Sequence, residues 1–177
     1  MKPVMYAMAC LVVLLSGNGV AGDQPPLTVV ERVDLERYLG KWYEIASYPA
    51  WFQKGCTGST AEYSMLPKGK IRVVNRCFKE SLEGPIKESR GKGVVVDKET
   101  NAKLKVGFFL WFKGNYWIID LDPDYQWAVV GEPKRKYLWV LSRTPTMDEA
   151  TYSGILSRLK EKAYDPDRLR RTAQPDE

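Results

Sequence analysis

The chain has 177 residues, a length that favours one domain with a sizeable core. Its 27 Lys and Arg outnumber its 22 Asp and Glu, but the charges are interspersed and form no basic cluster with interleaved aromatics, which excludes a nucleic-acid partner. The absence of histidine removes the commonest general base and the usual axial haem ligand, so we expect neither a cofactor nor a metal ion.

Residues 1–21 have the features of a secretory signal peptide, which leaves one domain over residues 22–177. An apolar run extends from Val4 to Leu15, and small residues surround a cleavage site after Ala21. The run is too short to anchor the chain across a bilayer of about 30 Å. Cys10 precedes most of the run, whereas a lipidated cysteine follows one. We therefore expect an exported protein without a lipid anchor.

From Gly40 onward the sequence consists of short extended segments separated by turn residues. Their near-regular spacing predicts an all-β fold, either a sandwich or an antiparallel barrel. The eight candidate strands are Lys41–Tyr48, Thr57–Met65, Lys70–Phe78, Glu88–Val96, Lys103–Phe108, Tyr116–Leu121, Gln126–Gly131 and Tyr137–Arg143. A capping box at Thr146 and Glu149 then predicts a helix packed outside the sheet. Its apolar stripe consists of Tyr152, Ile155, Leu156, Leu159 and Ala163.

Two cysteines remain in the domain, Cys56 and Cys77, on either side of a predicted hairpin with its turn at residues 66–69. A turn centred there places the two cysteines directly opposite each other, close enough for a disulfide. The oxidising compartment of an exported protein favours that bond. The alternatives are two inert buried thiols or a metal pair, and the absence of histidine counts against the metal.

Alternation along the strands separates an inward face from an outward face. In Lys103–Phe108 the apolar side chains share one face and the lysines share the other, so the apolar set is predicted to point inward. The same alternation turns Tyr137 and Trp139 to one face of the eighth strand. The sixth and seventh strands are apolar on both faces, which fits a cavity on one side and the helix on the other.

With these elements in place, the chain resembles the lipocalins, and most closely the branch of bacterial lipocalin and apolipoprotein D. The first lipocalin signature, G-x-W, is present as Gly40 and Trp42. The second, a T-D-Y type turn between strands six and seven, is matched loosely by Asp122 and Tyr125, without the threonine. The third centres on an arginine after the eighth strand, here Arg143. The resemblance implies an eight-stranded antiparallel up-and-down β-barrel with the helix outside, and structural roles for these residues. Trp42 is expected to plug the closed end, with Arg143 across its face.

An eight-stranded barrel has room either for its own side chains or for one small ligand. The inward residues suit an apolar ligand with one polar end, which the hydroxyls of Tyr116 and Tyr137 are expected to meet. The candidate pocket consists of Ala61, Tyr63, Val106, Phe108, Tyr116, Ile118, Val130, Tyr137 and Trp139. The resemblance implies a fatty acid or lysophospholipid ligand, a role in transport or storage for envelope maintenance, and a homodimer. Several bacterial lipocalins are outer-membrane lipoproteins, but this chain departs from them in lacking a lipid-attachment cysteine after the apolar run. We therefore expect a periplasmic or secreted protein that is associated with the outer membrane.

The stretch Gly107–Trp117 carries four consecutive large apolar residues, Phe109 to Phe112, between strands five and six. In a lipocalin we expect this connection at the closed end of the barrel. Exposed there, the residues form a patch suited to self-association or membrane contact. The alternative is that they cap the closed end beside Trp42.

Two other functions stay open at this point. An enzyme on the same barrel needs a reactive thiol, which the expected disulfide consumes, and Glu44, an acid in an apolar strand, has no partnering carboxylate. A barrel filled by its own side chains, which binds another protein through the apolar patch, is the other hypothesis. Lipid binding is the interpretation that the inward residues favour.

Overall fold

The computed structural model describes residues 24–109 and 112–175, so the predicted signal peptide, Leu110 and Trp111 lie outside it. Within these residues nine strands form one antiparallel sheet. The first strand pairs with the eighth on one side and with the second on the other, which closes the sheet into a barrel. The strands are β1 Gly40–Ser47, β2 Cys56–Leu66, β3 Lys70–Lys79, β4 Ile86–Val95, β5 Lys103–Phe109, β6 Phe112–Leu121, β7 Trp127–Gly131, β8 Leu138–Ser142 and β9 Arg170–Arg171. The predicted eight-stranded antiparallel barrel is confirmed, with β9 as an additional short strand.

The ninth strand lies where β1 and β2 separate. β1 pairs with β2 over Gly40–Tyr43, and further along it pairs through Ala46 and Ser47 with β9. On the other side of the same segment, the N–H of Gly58 in β2 donates to the carbonyl of Ala173 at 2.8 Å. The C-terminal segment therefore fills a gap in the barrel wall between β1 and β2.

The β2–β3 hairpin joins the two cysteines, but its register differs from the predicted one. Cys56 lies opposite Lys79 rather than opposite Cys77, because the turn is centred on Pro67–Gly69 and a bulge in β2 changes the spacing. The Cys56–Cys77 disulfide is nevertheless formed, across a Cα–Cα distance of 5.4 Å. The predicted bond is confirmed, and the predicted direct pairing is wrong.

Strand direction defines a closed end and an open end of the barrel. β1 starts at the closed end beside Trp42 and runs to the open end, the mouth, where residues 48–55 connect it to β2. Each following strand reverses direction, so β5 ends and β6 begins at the mouth, where Phe109 pairs with Phe112. The expectation that the β5–β6 connection lies at the closed end is therefore wrong, because the fifth strand runs in the same direction as the first.

A short helix, α1 (Leu35–Tyr38), precedes β1, and a longer one, α2 (Glu149–Glu161), packs on the outside of the barrel as predicted. Tyr152, Ile155 and Leu159 are its buried residues, and they pack with outward-pointing side chains of β1, β6, β7 and β8. No helix among the described residues combines the length and the apolar composition that crossing a bilayer requires. The helix thus covers one wall of the barrel, and loops surround the mouth.

Asp148, rather than the predicted capping box at Thr146 and Glu149, caps the N-terminus of α2. The Asp148 carboxylate accepts a hydrogen bond from the N–H of Thr151 at 2.8 Å. Because the helix begins at Glu149, that residue occupies the first helical position and not the third, which a capping box requires. At the other end Ala163, assigned to the apolar stripe, lies beyond the helix with a left-handed φ of 58°.

Arg143 and Trp42 form the floor of the closed end. The guanidinium carbon of Arg143 lies 3.7 Å from the centroid of the fully buried indole. Its nitrogens donate to the carbonyls of Arg37, Lys41 and Tyr125 at 2.6, 2.9 and 3.2 Å. One side chain therefore ties three separate segments of backbone across the tryptophan.

Gly40 and the turn before β7 complete this floor. Gly40 has a φ of +92°, a conformation that favours glycine, and a Cβ there would stand 3.4 Å from the Arg143 guanidinium. The Asp122 carboxylate accepts hydrogen bonds from two backbone N–H groups of its own turn, at 3.1 and 3.0 Å. The Tyr125 hydroxyl accepts one from the N–H of Asp34 at 2.8 Å. All five signature residues thus lie at the closed end.

Candidate ligand-binding site

The barrel interior brings together eight of the nine predicted pocket residues. Three of them, Tyr63, Ile118 and Val130, are buried. Those packed partly buried against this core are Ala61, Val106, Phe108, Tyr116 and Trp139. Tyr137, the ninth, precedes β8 at the mouth and stacks on Trp139, with ring centroids 5.9 Å apart. Alternation along the strands accounts for the shared face.

Three tyrosine hydroxyls form a chain in the lower half of the interior, near the closed end. The Tyr116 hydroxyl lies 2.7 Å from the hydroxyl of Tyr38 and 2.9 Å from that of Tyr63. Burial raises the pKa of Tyr63 to about 12, and it raises the pKa of Tyr38 and Tyr116 well above the ordinary tyrosine value. The Tyr116 hydroxyl, expected to meet a polar ligand end, is instead bonded to other tyrosines.

A small cavity lies beside the tyrosine chain in the lower half of the barrel. The cavity beside the tyrosine chain has a volume of about 10 Å³, enough for one water molecule. Its walls include Leu35, Leu39, Ile71, Val73, Leu104 and Val106. An acyl chain does not fit in this cavity in this conformation.

At the mouth, residues 48–55 fold over the barrel and place Phe52 against aromatic side chains of the interior. A 3₁₀ turn over Trp51–Gln53 presents the Phe52 ring, whose centroid lies 5.5 Å from that of Tyr137 and 6.4 Å from that of Trp139. The loop therefore closes the aromatic part of the interior.

Gln53, in the same turn, connects the interior with a buried acid, Glu44. Its Nε2 donates to the Glu44 carboxylate at 2.8 Å, and its Oε1 accepts from the indole N–H of Trp139 at 2.9 Å. The Glu44 carboxylate also accepts from the hydroxyls of Ser47 and Thr172, at 2.9 and 2.7 Å. Glu44 is only 7% exposed, so this network holds a buried negative charge near the mouth.

A cleft of about 420 Å³ opens beside this network. This mouth cleft lies between the 49–57 segment and the C-terminal segment that fills the gap beside β1. Its walls include Glu44, Ser47, Trp51, Gln53, Lys54 and Arg170. The volume falls within the range of about 300–1,000 Å³ that is typical of small-molecule sites. A space large enough for a small ligand therefore lies at the mouth, and its lining includes charged and aromatic side chains.

Sequence reasoning missed the mouth cleft and the link from Glu44 to the interior. An acid within an apolar strand is itself a signal, because such residues are seldom buried without a partner. Gln53 and Thr172 carry no comparable signal, since one lies in a loop and the other is 128 positions from Glu44. Only the folded chain brings the three together.

Comparison with known proteins identifies the family. A family profile, the lipocalin-like domain, matches residues 33–174. The chain belongs to the lipocalin family. Temperature-induced lipocalin-1 of Arabidopsis thaliana is 40% identical over 162 residues, which cover 87% of this chain and 86% of that protein. Outer membrane lipoprotein Blc of Vibrio cholerae is 38% identical over 166 residues, covering 93% and 95%.

Two further comparisons bear on the branch and the fold of this lipocalin. Apolipoprotein D of Mus musculus is 31% identical over 162 residues, covering 86% of this chain and 83% of that protein. The structure of insecticyanin from the tobacco hornworm Manduca sexta superimposes with a TM-score of 0.70 over 88% of each chain. Its 22% identity shows a shared fold alone. The predicted resemblance to bacterial lipocalin and apolipoprotein D is confirmed.

Proposed function

We propose that this lipocalin binds a single-chain amphiphile, a fatty acid or a lysophospholipid, and carries it unchanged for maintenance of the cell envelope. Lipocalins bind small hydrophobic ligands. One observation carries the finer proposal: the amide of Gln53 joins the interior aromatic Trp139 to Glu44 of the mouth cleft. An apolar chain among the aromatics and a polar end in the cleft match these two adjoining surfaces.

Entry of the chain requires rearrangement at the mouth. Phe52 must leave Tyr137 and Trp139, and partly buried residues such as Phe108 must repack around the guest. Each buried methylene group contributes about 0.8 kcal/mol, so a chain of a dozen carbons can offset the contacts that are lost. The chain length that binds best therefore reports how far the interior opens.

The rim of the mouth also supports contact with a membrane. Trp51 and Ile86 are 81% and 64% exposed, and Lys54 and Lys87 beside them are exposed too. Exposed apolar and basic side chains together suit an anionic bilayer surface. We propose that an exported protein, periplasmic or secreted, meets the outer membrane through this rim. Homodimerisation through the same rim is the competing use of these side chains.

Native mass spectrometry of protein purified from cells, with extraction of co-purified lipid, tests the proposal. A titration with a fluorescent fatty acid, read by tryptophan quenching, follows on delipidated protein. We expect Trp139→Phe to lose most of the quenching. Trp127→Phe, which changes an indole packed on the outer side of the sheet, is the matched control and should retain it. A folded protein with no bound lipid and no quenching contradicts the proposal.

The second candidate is a barrel filled by its own side chains that acts as an interaction protein. The enclosed volume of about 10 Å³ in the lower half favours it. On this hypothesis no fatty acid quenches the tryptophans, and the exposed rim binds another protein. The titration above therefore separates the two candidates directly.

We propose no catalytic activity for this lipocalin. The Cys56–Cys77 disulfide occupies both cysteines of the described residues, which leaves the thiol-enzyme hypothesis without its nucleophile there. The Glu44 carboxylate accepts hydrogen bonds from neutral groups. A reactive thiol found by titration of the folded, oxidised protein would contradict this assignment.

A further inference from the structure

Basic side chains that are separated in the sequence lie side by side on one outer wall of the barrel. Ile71 and Val73 of β3 pack in the interior, so alternation along the strand turns Lys70 and Arg72 outward. Lys92 of β4 lies directly opposite Arg72. Strand pairing therefore joins positive charges that the sequence keeps apart.

The same row of charges continues across β5 and β6. Lys105 lies opposite Val94, two residues along β4 from Lys92, so the two lysines are diagonal neighbours on the sheet. Asn115 lies opposite Lys105, and Lys113 shares the outer face of β6 with Asn115. All the basic residues of this row are exposed. The row, called the basic wall below, consists of Lys70, Arg72, Lys92, Lys105 and Lys113.

No acid neutralises the basic wall among residues 24–109 and 112–175, because none of its members takes part in an ion pair there. The other basic residues of β3 and β4 differ, since Arg76 and Arg90 bind carboxylates at 2.6 to 2.8 Å. Like charges directly opposite each other on a sheet are destabilising, so the Arg72–Lys92 pair has a cost for folding. An anionic partner bound to both side chains would offset that cost.

The basic wall adjoins the exposed rim of the mouth. Lys87, at the start of β4, donates from its Nζ to the carbonyl of Phe52 in the mouth loop at 3.5 Å. The loop that carries Trp51 therefore lies on the β4 side of the mouth. Ile86, which is 64% exposed, begins the strand that carries Lys92 further along. Apolar side chains thus stand at one end of the basic wall.

An anionic bilayer is the partner whose chemistry fits both parts of this surface. Its head groups attract basic side chains, and exposed apolar side chains enter its interfacial region. The basic wall lines neither the cavity near the closed end nor the mouth cleft, so its charges face away from both. All its members except Arg72 are lysines, whose flexible stems suit a fluid surface better than one fixed anion.

We infer that the basic wall binds an anionic bilayer, so that the barrel lies on the membrane with its β3–β5 side down. This inference goes beyond the proposed function, which places only the rim at the membrane, and it rests on that membrane contact. In this orientation α2 faces away from the bilayer, since it packs over β1, β7 and β8. The mouth cleft, which Trp51 lines, then opens beside the lipid surface.

Sedimentation of the full, delipidated protein with lipid vesicles tests the inference. The vesicles contain phosphatidylcholine alone or phosphatidylcholine mixed with phosphatidylglycerol. We expect the protein to bind the mixed vesicles, and binding should weaken with added salt, because the Debye length falls from about 10 Å at 0.1 M to about 3 Å at 1 M.

Substitutions locate the charges that bind. Lys92→Gln should lower the partition coefficient for mixed vesicles about fivefold, since a basic residue near an anionic surface contributes about 1 kcal/mol. Adding Lys105→Gln should bring the loss to about twenty-five-fold by the same arithmetic. Lys160→Gln, which removes an exposed charge from α2, is the matched control and should stay within about twofold of wild type.

Lysine acetylation read by mass spectrometry maps the bound surface of the wild-type protein. Mixed vesicles should protect Lys92 and Lys105 and leave the labelling of Lys160 unchanged. Protection confined to Lys54 and Lys87 overturns the basic wall as a binding surface and leaves the rim contact standing. Because Lys92→Gln removes one of two opposed cations, it should not lower the unfolding midpoint; should it fail to fold, the labelling decides the question.

The remaining outcomes separate the inference from the proposed function. Equal binding to both kinds of vesicle overturns the inference, because anionic lipid then contributes nothing. Equal losses in Lys92→Gln and Lys160→Gln also overturn it, since net charge is then the cause. Tighter binding to heparin than to mixed vesicles assigns the wall to a soluble polyanion and overturns the bilayer as its partner. If no vesicle binds but a fatty acid does, both membrane contacts fail and the carrier function stands.

Discussion

Replacing Phe52 with alanine tests whether the loop over the mouth controls entry of the ligand. Phe52 is 41% exposed, so about three-fifths of its surface is covered, in part by Tyr137 and Trp139. A fully buried aromatic side chain covers roughly 150–250 Å². At about 25 cal/mol per Å², the covered part of Phe52 stabilises the closed loop by roughly 2–4 kcal/mol.

Part of that area stays covered when the loop opens, so the difference between the two states is smaller, about 2 kcal/mol. A difference of this size makes the open mouth about thirtyfold more populated in Phe52→Ala, since about 1.4 kcal/mol corresponds to a factor of ten. If opening limits entry, the association rate of a fluorescent fatty acid rises by the same order. Stopped-flow fluorescence measures this rate.

Trp51→Ala is the matched control for this experiment. The Trp51 ring packs on Phe52 at 5.6 Å between centroids and is 81% exposed, so its loss removes little buried area from the closed loop. Its association rate should stay within about twofold of wild type, since a change of a few tenths of a kcal/mol has that effect. A folded Phe52→Ala protein that binds no faster than wild type would refute the assignment of the loop as the barrier.

Three further predictions concern stability. Arg143→Ala should lower the free energy of unfolding by about 2–3 kcal/mol, the sum of a half-buried contact with Trp42 and a charged hydrogen bond. Denaturant curves check this, and a loss below about 1 kcal/mol contradicts it. Reduction of the Cys56–Cys77 disulfide, which spans 21 positions, should lower the free energy of unfolding by about 3 kcal/mol. Equal melting temperatures with and without reductant would contradict a stabilising role for this bond. Burial raises the folded-state pKa of Tyr63 to about 12, against about 10 in the unfolded chain. The contribution of this group to the free energy of unfolding is therefore complete below pH ~10 and declines as the pH rises to ~12. Urea unfolding across that window should show the free energy of unfolding falling as the pH rises, and Tyr63→Phe should make this decline less steep. An unchanged decline in the variant would contradict the role assigned to Tyr63.

The strand pattern is readable from the sequence because alternation is a local property. The β5 strand alternates between basic and apolar side chains over Lys103–Val106, and its predicted and observed bounds differ by one residue. β6 is the exception, since it begins at Phe112 rather than at the predicted Tyr116. Gly114 lies in that stretch, and glycine is a weak strand former, so pairing with β5 and not local propensity extends this strand.

Contacts that depend on register or on distant segments are not readable in this way. The disulfide partners were predicted correctly, yet the bulge that places Cys56 opposite Lys79 leaves no mark in the residue pattern. The cap at Asp148 was missed because Thr146 and Glu149 satisfy the same sequence rule at another position. For the candidate site, alternation identified the interior side chains, but it did not indicate whether they leave a hollow or fill one.

The separation of β1 from β2 explains why polar and apolar surfaces meet at one end of this barrel. An unbroken β1–β2 ladder would leave no place for the C-terminal segment beside β1, and Glu44 would lose its hydrogen bond from Thr172. Because β9 replaces β2 beside Ala46 and Ser47, the C-terminal segment brings the Thr172 hydroxyl to Glu44, and the cleft opens between that segment and the 49–57 loop. The charge is then held by three hydrogen bonds, one of which leads through Gln53 to the interior. The acyl chain and head group of the proposed ligand would thus have neighbouring sites of different chemistry, both of them next to the loop that carries Phe52. That arrangement suits a carrier that must load and release its cargo at a membrane surface, since exchange requires no opening of the barrel wall.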